Sequence, residues 1–197
     1  MEKIRVRITL LDELLGTASG NEEIHAEFIA SKAPDAPKFE EEVAALGVAA
    51  EIEKSMTVFP RNAEGQPIMW DYQIRGFFKE ACGFLRKVKG TKSSKVTAYK
   101  KAVDGLVFVS PRQIPIEFKG EIGNCQRPLR GQTAQGERIA LANSETIPEG
   151  AVLEFEVKCL RDEDSDLVLE WLEYGEMHGR GQWRNSGKGR FVFEVLE

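Results

Sequence analysis

The sequence is short of the residues that metal sites, disulfides and membranes require. Its 197 residues include two histidines, His25 and His178, and three cysteines, Cys82, Cys125 and Cys159. With two isolated histidines and no Cys-x-x-Cys pair, a structural zinc site lacks its ligands. An odd number of widely spaced cysteines makes no disulfide framework and suits thiols kept reduced in a cytoplasm. No stretch reaches the roughly 18 consecutive apolar residues of a membrane-spanning helix. The N-terminal segment Met1–Arg7 alternates charged and apolar residues and has no signal-peptide core. No internal repeat, low-complexity tract, Walker loop, Rossmann turn or Ser/His/Asp triad is legible. These absences predict a soluble, cytoplasmic protein with no cofactor and no metal.

The composition that remains is that of a folded domain, with 42% apolar and 30% charged residues. Its length suits one sizeable core, and we read residues 1–197 as a single domain. The net charge of −5 is unevenly spread. Tyr72–Val103 holds nine Lys/Arg and one acid, Glu80; His178–Arg190 holds four Lys/Arg and no acid. The negative charge gathers in Glu22–Glu53 and Glu149–Glu176. Such runs are either solvated faces or surfaces for a polyanion.

Periodicity supplies the elements. Ile4, Val6, Ile8 and Leu10 alternate with Lys3, Arg5, Arg7 and Thr9, predicting a half-buried strand with a basic open face. Helices are predicted over Glu22–Ser31 and Phe39–Lys54, then two short strands, Met56–Phe59 and Gln66–Met69, around a turn at Asn62–Gly65. Asp71 is placed to cap a helix carrying Ile74, Phe77, Phe78, Ala81, Leu85 and Val88, with an end near Gly90. Thr91–Lys101 reads as a basic loop. Leu106–Val109 and Ile114–Phe118 are strand-like and divided by Pro111, and Glu121–Glu137 reads as irregular. Ala151–Leu160 alternates clearly; Asp164 or Ser165 opens a helix to about Met177, and Phe191–Leu196 closes as a strand. The order is β, insertion, α, β, β, α, β. The fold class is α+β: a ferredoxin-like (RRM-like, split βαβ) core with insertions, one antiparallel sheet with both helices on one face. The insertion at about 17–65 has no assigned role, and a basic loop falls at about 90–104.

The densest local signal is Gly179-Arg180-Gly181-Gln182-Trp183-Arg184-Asn185-Ser186-Gly187-Lys188-Gly189-Arg190. Two G-x-G units allow positive φ and close backbone approach. Exposed N–H groups in such a turn cradle phosphate, Arg and Lys add charge, and Trp183 offers either a stacking face or a core ring. The plain alternative is a glycine-rich connection between helix and strand. Gly76 sits inside a predicted helix, where glycine costs about 1 kcal/mol relative to alanine. It therefore suggests close approach of another backbone, either RNA or a packed strand.

A G-x-G-x5-G-x-G loop before the last strand of a ferredoxin-like fold is similar to the signature of the repeat-associated mysterious protein (RAMP) superfamily, which comprises CRISPR RNA processing nucleases and the backbone subunits of CRISPR effector complexes. The nucleases usually carry an apolar residue inside each G-x-G, where this chain has Arg180 and Lys188. Gln66-Pro67-Ile68-Met69-Trp70-Asp71-Tyr72-Gln73-Ile74-Arg75-Gly76-Phe77-Phe78-Lys79 resembles the start of the first core helix in the backbone branch. There a short strand and a Pro-Gly-Ser-Ser-like cap precede an apolar-Lys-Gly-x-apolar-Arg run. Ile74–Lys79 fits the run, and Trp70–Gln73 departs from the cap. Arg138-Ile139-Ala140-Leu141 followed by Glu145-Thr146-Ile147-Pro148-Glu149-Gly150-Ala151-Val152-Leu153-Glu154-Phe155 resembles that branch's strand, vP-x-G, strand hairpin. The three pieces keep the family's order across residues 66–197.

The resemblance implies a backbone-type subunit of a CRISPR-like ribonucleoprotein. Such a subunit binds single-stranded RNA largely without regard to sequence and associates with other subunits or with copies of itself. The residues carried over as RNA-binding are Arg75, Lys79, Lys87, Lys89, Lys92, Lys95, Gly179, Arg180, Gly181, Trp183, Arg184, Gly187, Lys188, Gly189 and Arg190. Two alternatives stay open: a metal-independent CRISPR RNA endoribonuclease, and a stand-alone or viral mimic of a CRISPR subunit that binds protein. For catalysis the resemblance offers His25, early in the chain as in the nucleases, and Asp35, in the first long insertion.

Overall fold

The structure, a computed structural model, describes residues 1–19, 56–133 and 136–196. The helices expected over 22–31 and 39–54, with His25 and Asp35, lie outside the described residues.

Strand β1 (Glu2–Leu10) forms where the alternation predicts it, with Ile4, Val6, Ile8 and Leu10 buried. It pairs antiparallel with β10 (Val152–Cys159) on one side and β11 (Phe191–Leu196) on the other, in register Val6↔Phe155 and Val6↔Val195. Beyond β10 lie β6 (Val107–Ser110) and β7 (Gln113–Glu117), end to end and separated at Pro111; β5 (Ile68–Trp70) completes the edge against β7. With β6 and β7 counted as one interrupted strand, the core strands run 4-1-3-2, all antiparallel, which is the split βαβ order.

Helices α1 (Asp71–Leu85) and α3 (Glu163–His178) cover one face of this sheet, while α2 (Tyr99–Leu106) packs beside α1. Ile74, Phe77, Phe78, Ala81 and Cys82 of α1 meet Val168, Trp171 and Leu172 of α3 over the β1 and β10 side chains. Burial of each large side chain here contributes about 2 kcal/mol. The class read from periodicity, an antiparallel sheet with both helices on one face, is the one found.

A second sheet stands beside the first. It orders β2 (Leu14–Leu15), β9 (Gly136–Ile147), β4 (Thr57–Val58) and β3 (Ala18–Ser19), with β8 (Gly123–Thr133) also paired to β9. Glu121–Glu137 is therefore no irregular stretch, because most of it is strand. Pro128 is tolerated because β8 pairs along one side only, with β9. The vP-x-G segment also departs from expectation. Pro148-Glu149-Gly150 does not join two paired strands, since β9 belongs to the second sheet and β10 to the first. The turn carries the chain between sheets, held by Gly150 N–H donating to the Leu10 carbonyl at 2.8 Å.

Three smaller expectations are corrected. Helix α1 ends at Leu85, and Val88 is 52% exposed beyond it. Asp71 is not its cap: the Gln73 side chain accepts from Trp70 N–H at 2.9 Å, and Asp71 pairs with Arg75. The segment expected as a basic loop over 90–104 is largely helical, with a 3-10 turn at Lys92–Lys95 followed by α2. The 3-10 turn is pinned by Glu170 of α3, whose carboxylate accepts from Lys92 N–H at 2.6 Å and Ser93 N–H at 2.9 Å, and by Trp171 Nε1–H donating to Ser93 Oγ at 2.9 Å.

The open face of the first sheet is not a basic surface. Arg7 pairs with Glu154 at 2.7 Å and Glu194 at 2.9 Å, and Lys3 with Glu156 at 3.1 Å, so neighbouring strands neutralise β1. Cys82, Cys125 and Cys159 are free thiols; burial pushes the Cys82 thiol up and Cys159 to about 11.

Candidate nucleic-acid interface

The glycine-rich segment folds back on itself over the first half of α1. Arg180 N–H donates to the Gly189 carbonyl at 2.8 Å, and Gly189 N–H to the Glu13 carbonyl at 2.9 Å. The two G-x-G units thus lie against each other. A Cβ on Gly189 would stand 1.8 Å from the Arg180 carbonyl oxygen, with φ at +72°. Gly179 and Gly189 are therefore glycines because the loop's own backbone leaves no room for a side chain. Gly187 closes the short 3-10 turn Arg184–Ser186 in the left-handed region at φ +87°.

Folding sorts the loop's charges into three groups. Lys188 pairs with Glu13 at 2.7 Å and Arg190 with Asp12 at 2.8 Å, so both tie the loop to the segment after β1. Arg184 Nη1 lies 2.6 Å from Glu80 Oε2 and 2.8 Å from His178 Nε2. Burial opposes ionisation of Glu80, but Arg184 and His178 outweigh it and hold the carboxyl below its usual range. Stability from this pair is present above the ordinary carboxylate pKa and is lost as pH falls through the folded value.

Arg180 is different. It is 8% exposed, Nη1 donates to the Gln73 carbonyl at 3.0 Å, and Nε has no partner. Its guanidinium sits 6.0 Å from the Phe77 ring centroid with no carboxylate bonded to it among the described residues. Burial, reinforced by Arg184, pushes it down to about 9, so it remains charged at neutral pH. It faces a cleft of about 230 Å³, lined by Leu14, Leu15, Phe59, Met69 and Phe77 on the apolar side and by Gln73, Glu80, Arg180 and Arg184 on the polar side. Glu80, in the same cleft, offsets the burial only through space and is itself bonded to Arg184; a buried cation with no carboxylate bonded to it is costly to keep and favours an incoming anion.

Trp183 is not core. It is 42% exposed at φ +56°, with the Arg127 guanidinium 5.2 Å from its ring centroid. Arg127 comes from β8 and donates to Gln182 Oε1 at 2.7 Å; Gln182 Nε2 in turn donates to the Gly16 carbonyl at 2.8 Å. The second sheet thus braces the loop.

On α1, Gly76 is exposed, and a Cβ there would meet nothing within 4 Å. No strand packs on it, so of the two readings of this glycine the protein one is not realised among the described residues. Lys79 pairs with Asp104 at 2.8 Å, and Lys92 with Asp166 at 3.0 Å. Lys87 is exposed beside the Phe84 ring, while Lys89 and Lys95 are exposed and unpaired among the described residues. The fifteen residues expected from sequence therefore fall into three places: the loop over the α1 start, Arg75 and Lys79 on α1 itself, and a lysine cluster past the α1 end. Gln73, Glu80, Arg127, His178 and Gln182 were not expected. Glu80 had one visible signal, as the single acid in a run of nine cations.

The core is a ferredoxin-like fold. It is similar to a chain of the type III-B Cmr-beta, determined by cryo-EM bound to cognate target RNA, with a TM-score of 0.53 and 11% identity over 99% of this chain and 58% of that one. This chain thus spans little more than half the length of that neighbour. No protein family and no curated protein matches the sequence.

Proposed function

We propose that the chain is an RNA-binding, backbone-type subunit of a CRISPR-like ribonucleoprotein, holding single-stranded guide RNA across the glycine-rich loop, the open face of α1 and the lysine cluster beyond it. Its protein partners are other subunits of that assembly or further copies of itself. The observation that carries the reading is Arg180, a buried guanidinium with no carboxylate bonded to it among the described residues, in a chain whose fold is similar to that of a chain from a complex bound to RNA. Recognition through charge and stacking is largely indifferent to sequence. The endoribonuclease reading has one observation in its favour, the contact of His178, Glu80 and Arg184.

Incubation of the protein with labelled single-stranded RNA separates the readings. A mobility shift with intact RNA supports the subunit, cleavage supports the nuclease, and neither supports a protein-binding mimic. Two variants sharpen the test. Lys87, Lys89 and Lys95 changed together to glutamate should weaken binding steeply and flatten its salt dependence by about two units of slope, at about 0.7 per phosphate contact. Lys92 is left out because a glutamate there would face Asp166 and Glu170. Gly76→Ala should raise stability by about 1 kcal/mol through helix propensity while weakening RNA binding. Thermal melting and RNA titration of the same sample check both halves, and unchanged affinity would remove α1's open face from the interface.

A further inference from the structure

The β5–α1 junction carries an aromatic stack that neither the loop nor the lysine cluster uses. Trp70 ends β5 and Tyr72 lies in the first turn of α1, where the turn is fixed by the Gln73 side chain on Trp70 N–H and by Asp71 N–H donating to the Arg112 carbonyl at 2.9 Å. The two rings lie 6.2 Å apart and 12° from parallel, and the Arg112 guanidinium is 5.7 Å from the Trp70 centroid. The stack does not close in the core: Tyr72 is 51% exposed. Arg75, one helical position short of a full turn on, binds Asp71 at 3.3 Å through Nη2 and leaves Nε without a partner. Gly76, four residues from Tyr72 and on the same side of the helix, leaves the space beside the ring empty.

We propose that Tyr72, backed by Trp70 and Arg112, is a nucleobase-stacking site for an unpaired base of single-stranded RNA, whose phosphate is met by Arg112. A ring held parallel to a second ring presents a rigid π-face, and every base has a face to match it. Cations flank the stack and a bare glycine lies beside it, an arrangement that suits a base joined to a phosphodiester better than an apolar protein side chain. This proposal rests on the RNA-binding reading above. It extends that interface to the β5 edge, where residues 70–73 depart from the small-residue cap of the resembled family.

The test uses the full chain and a labelled oligoadenylate. Tyr72→Ala should weaken binding by about 5-fold to about 150-fold, the range for loss of one base stack, and Tyr72→Phe should bind within about twofold of the parent, because the face rather than the hydroxyl stacks. If the parent binds oligoadenylate and Tyr72→Ala binds equally well, the site is refuted and the RNA-binding reading stands. If the parent itself does not bind, both fall. If Tyr72→Ala keeps RNA affinity but no longer self-associates on size exclusion, the stack is a protein contact and the proposal is overturned.

Discussion

Arg180→Met is expected to melt higher than the parent and to bind single-stranded RNA at least tenfold more weakly. The two effects have one cause. In the free protein Arg180 carries its charge at 8% exposure with no carboxylate bonded among the described residues. Burial disfavours that charge, so an apolar chain of similar length in its place relieves a cost on the order of 1 kcal/mol or more. The lost bond orphans nothing essential, because the Gln73 carbonyl lies inside α1 and has its own helical donor. In a domain of this size each kcal/mol moves the melting temperature by about 2–4 °C, so a rise of several degrees is expected. RNA binding is expected to move the other way, because a phosphate would lose the one loop cation with no carboxylate bonded to it among the described residues. A variant that melts lower and binds RNA unchanged would make Arg180 a structural residue.

Gly189→Ala should be the most damaging single methyl in the loop. The added Cβ would stand 1.8 Å from the Arg180 carbonyl oxygen and 2.9 Å from its carbonyl carbon, and φ is +72°. Neither atom belongs to a flexible side chain, so one G-x-G unit must lift off the other. We expect a loss of about 3 kcal/mol or more, since a backbone clash adds to left-handed strain. Gly187→Ala is the control. Its φ is +87°, but its Cβ would meet only Arg190 Nε at 3.8 Å, so it should cost about 1 kcal/mol. Equal melting temperatures for the two variants would mean that the G-x-G units do not pack as described.

The first sheet was legible because each of its long strands carries its own period. Ile4, Val6, Ile8 and Leu10, like Leu153, Phe155, Val157 and Cys159, alternate strictly and end up buried. The second sheet was hidden because its strands do not. β8 is rich in Gly, Gln and Arg and contains Pro128, and its pairing with β9 becomes evident only once the register Arg127↔Ala142 is known. The 3-10 turn at Lys92–Lys95 was hidden for a related reason. Its anchors, Glu170 and Trp171, lie far along the chain, and nothing local announces them.

For the candidate site, residue types were legible and pairings were not. The glycine-rich loop stood out by composition, yet sequence could not tell that Lys188 and Arg190 meet Glu13 and Asp12. Nor could it tell that Arg184 meets Glu80, or that Arg180, like Arg127 of β8, is buried with no carboxylate bonded to it among the described residues. Charge runs count cations, whereas a fold decides which of them stay free. The same limit explains the open face of β1, which is basic in sequence and is neutralised by Glu154, Glu156 and Glu194 across the sheet.

The most direct measurement is the affinity of the full chain for labelled single-stranded RNA as a function of salt, with the RNA recovered and sized afterwards. The account predicts saturable binding at low salt, intact RNA, and a logarithm of the association constant that falls linearly with the logarithm of salt concentration, by about 0.7 per phosphate contacted. Absence of binding at low salt, or binding that ignores salt, would contradict it.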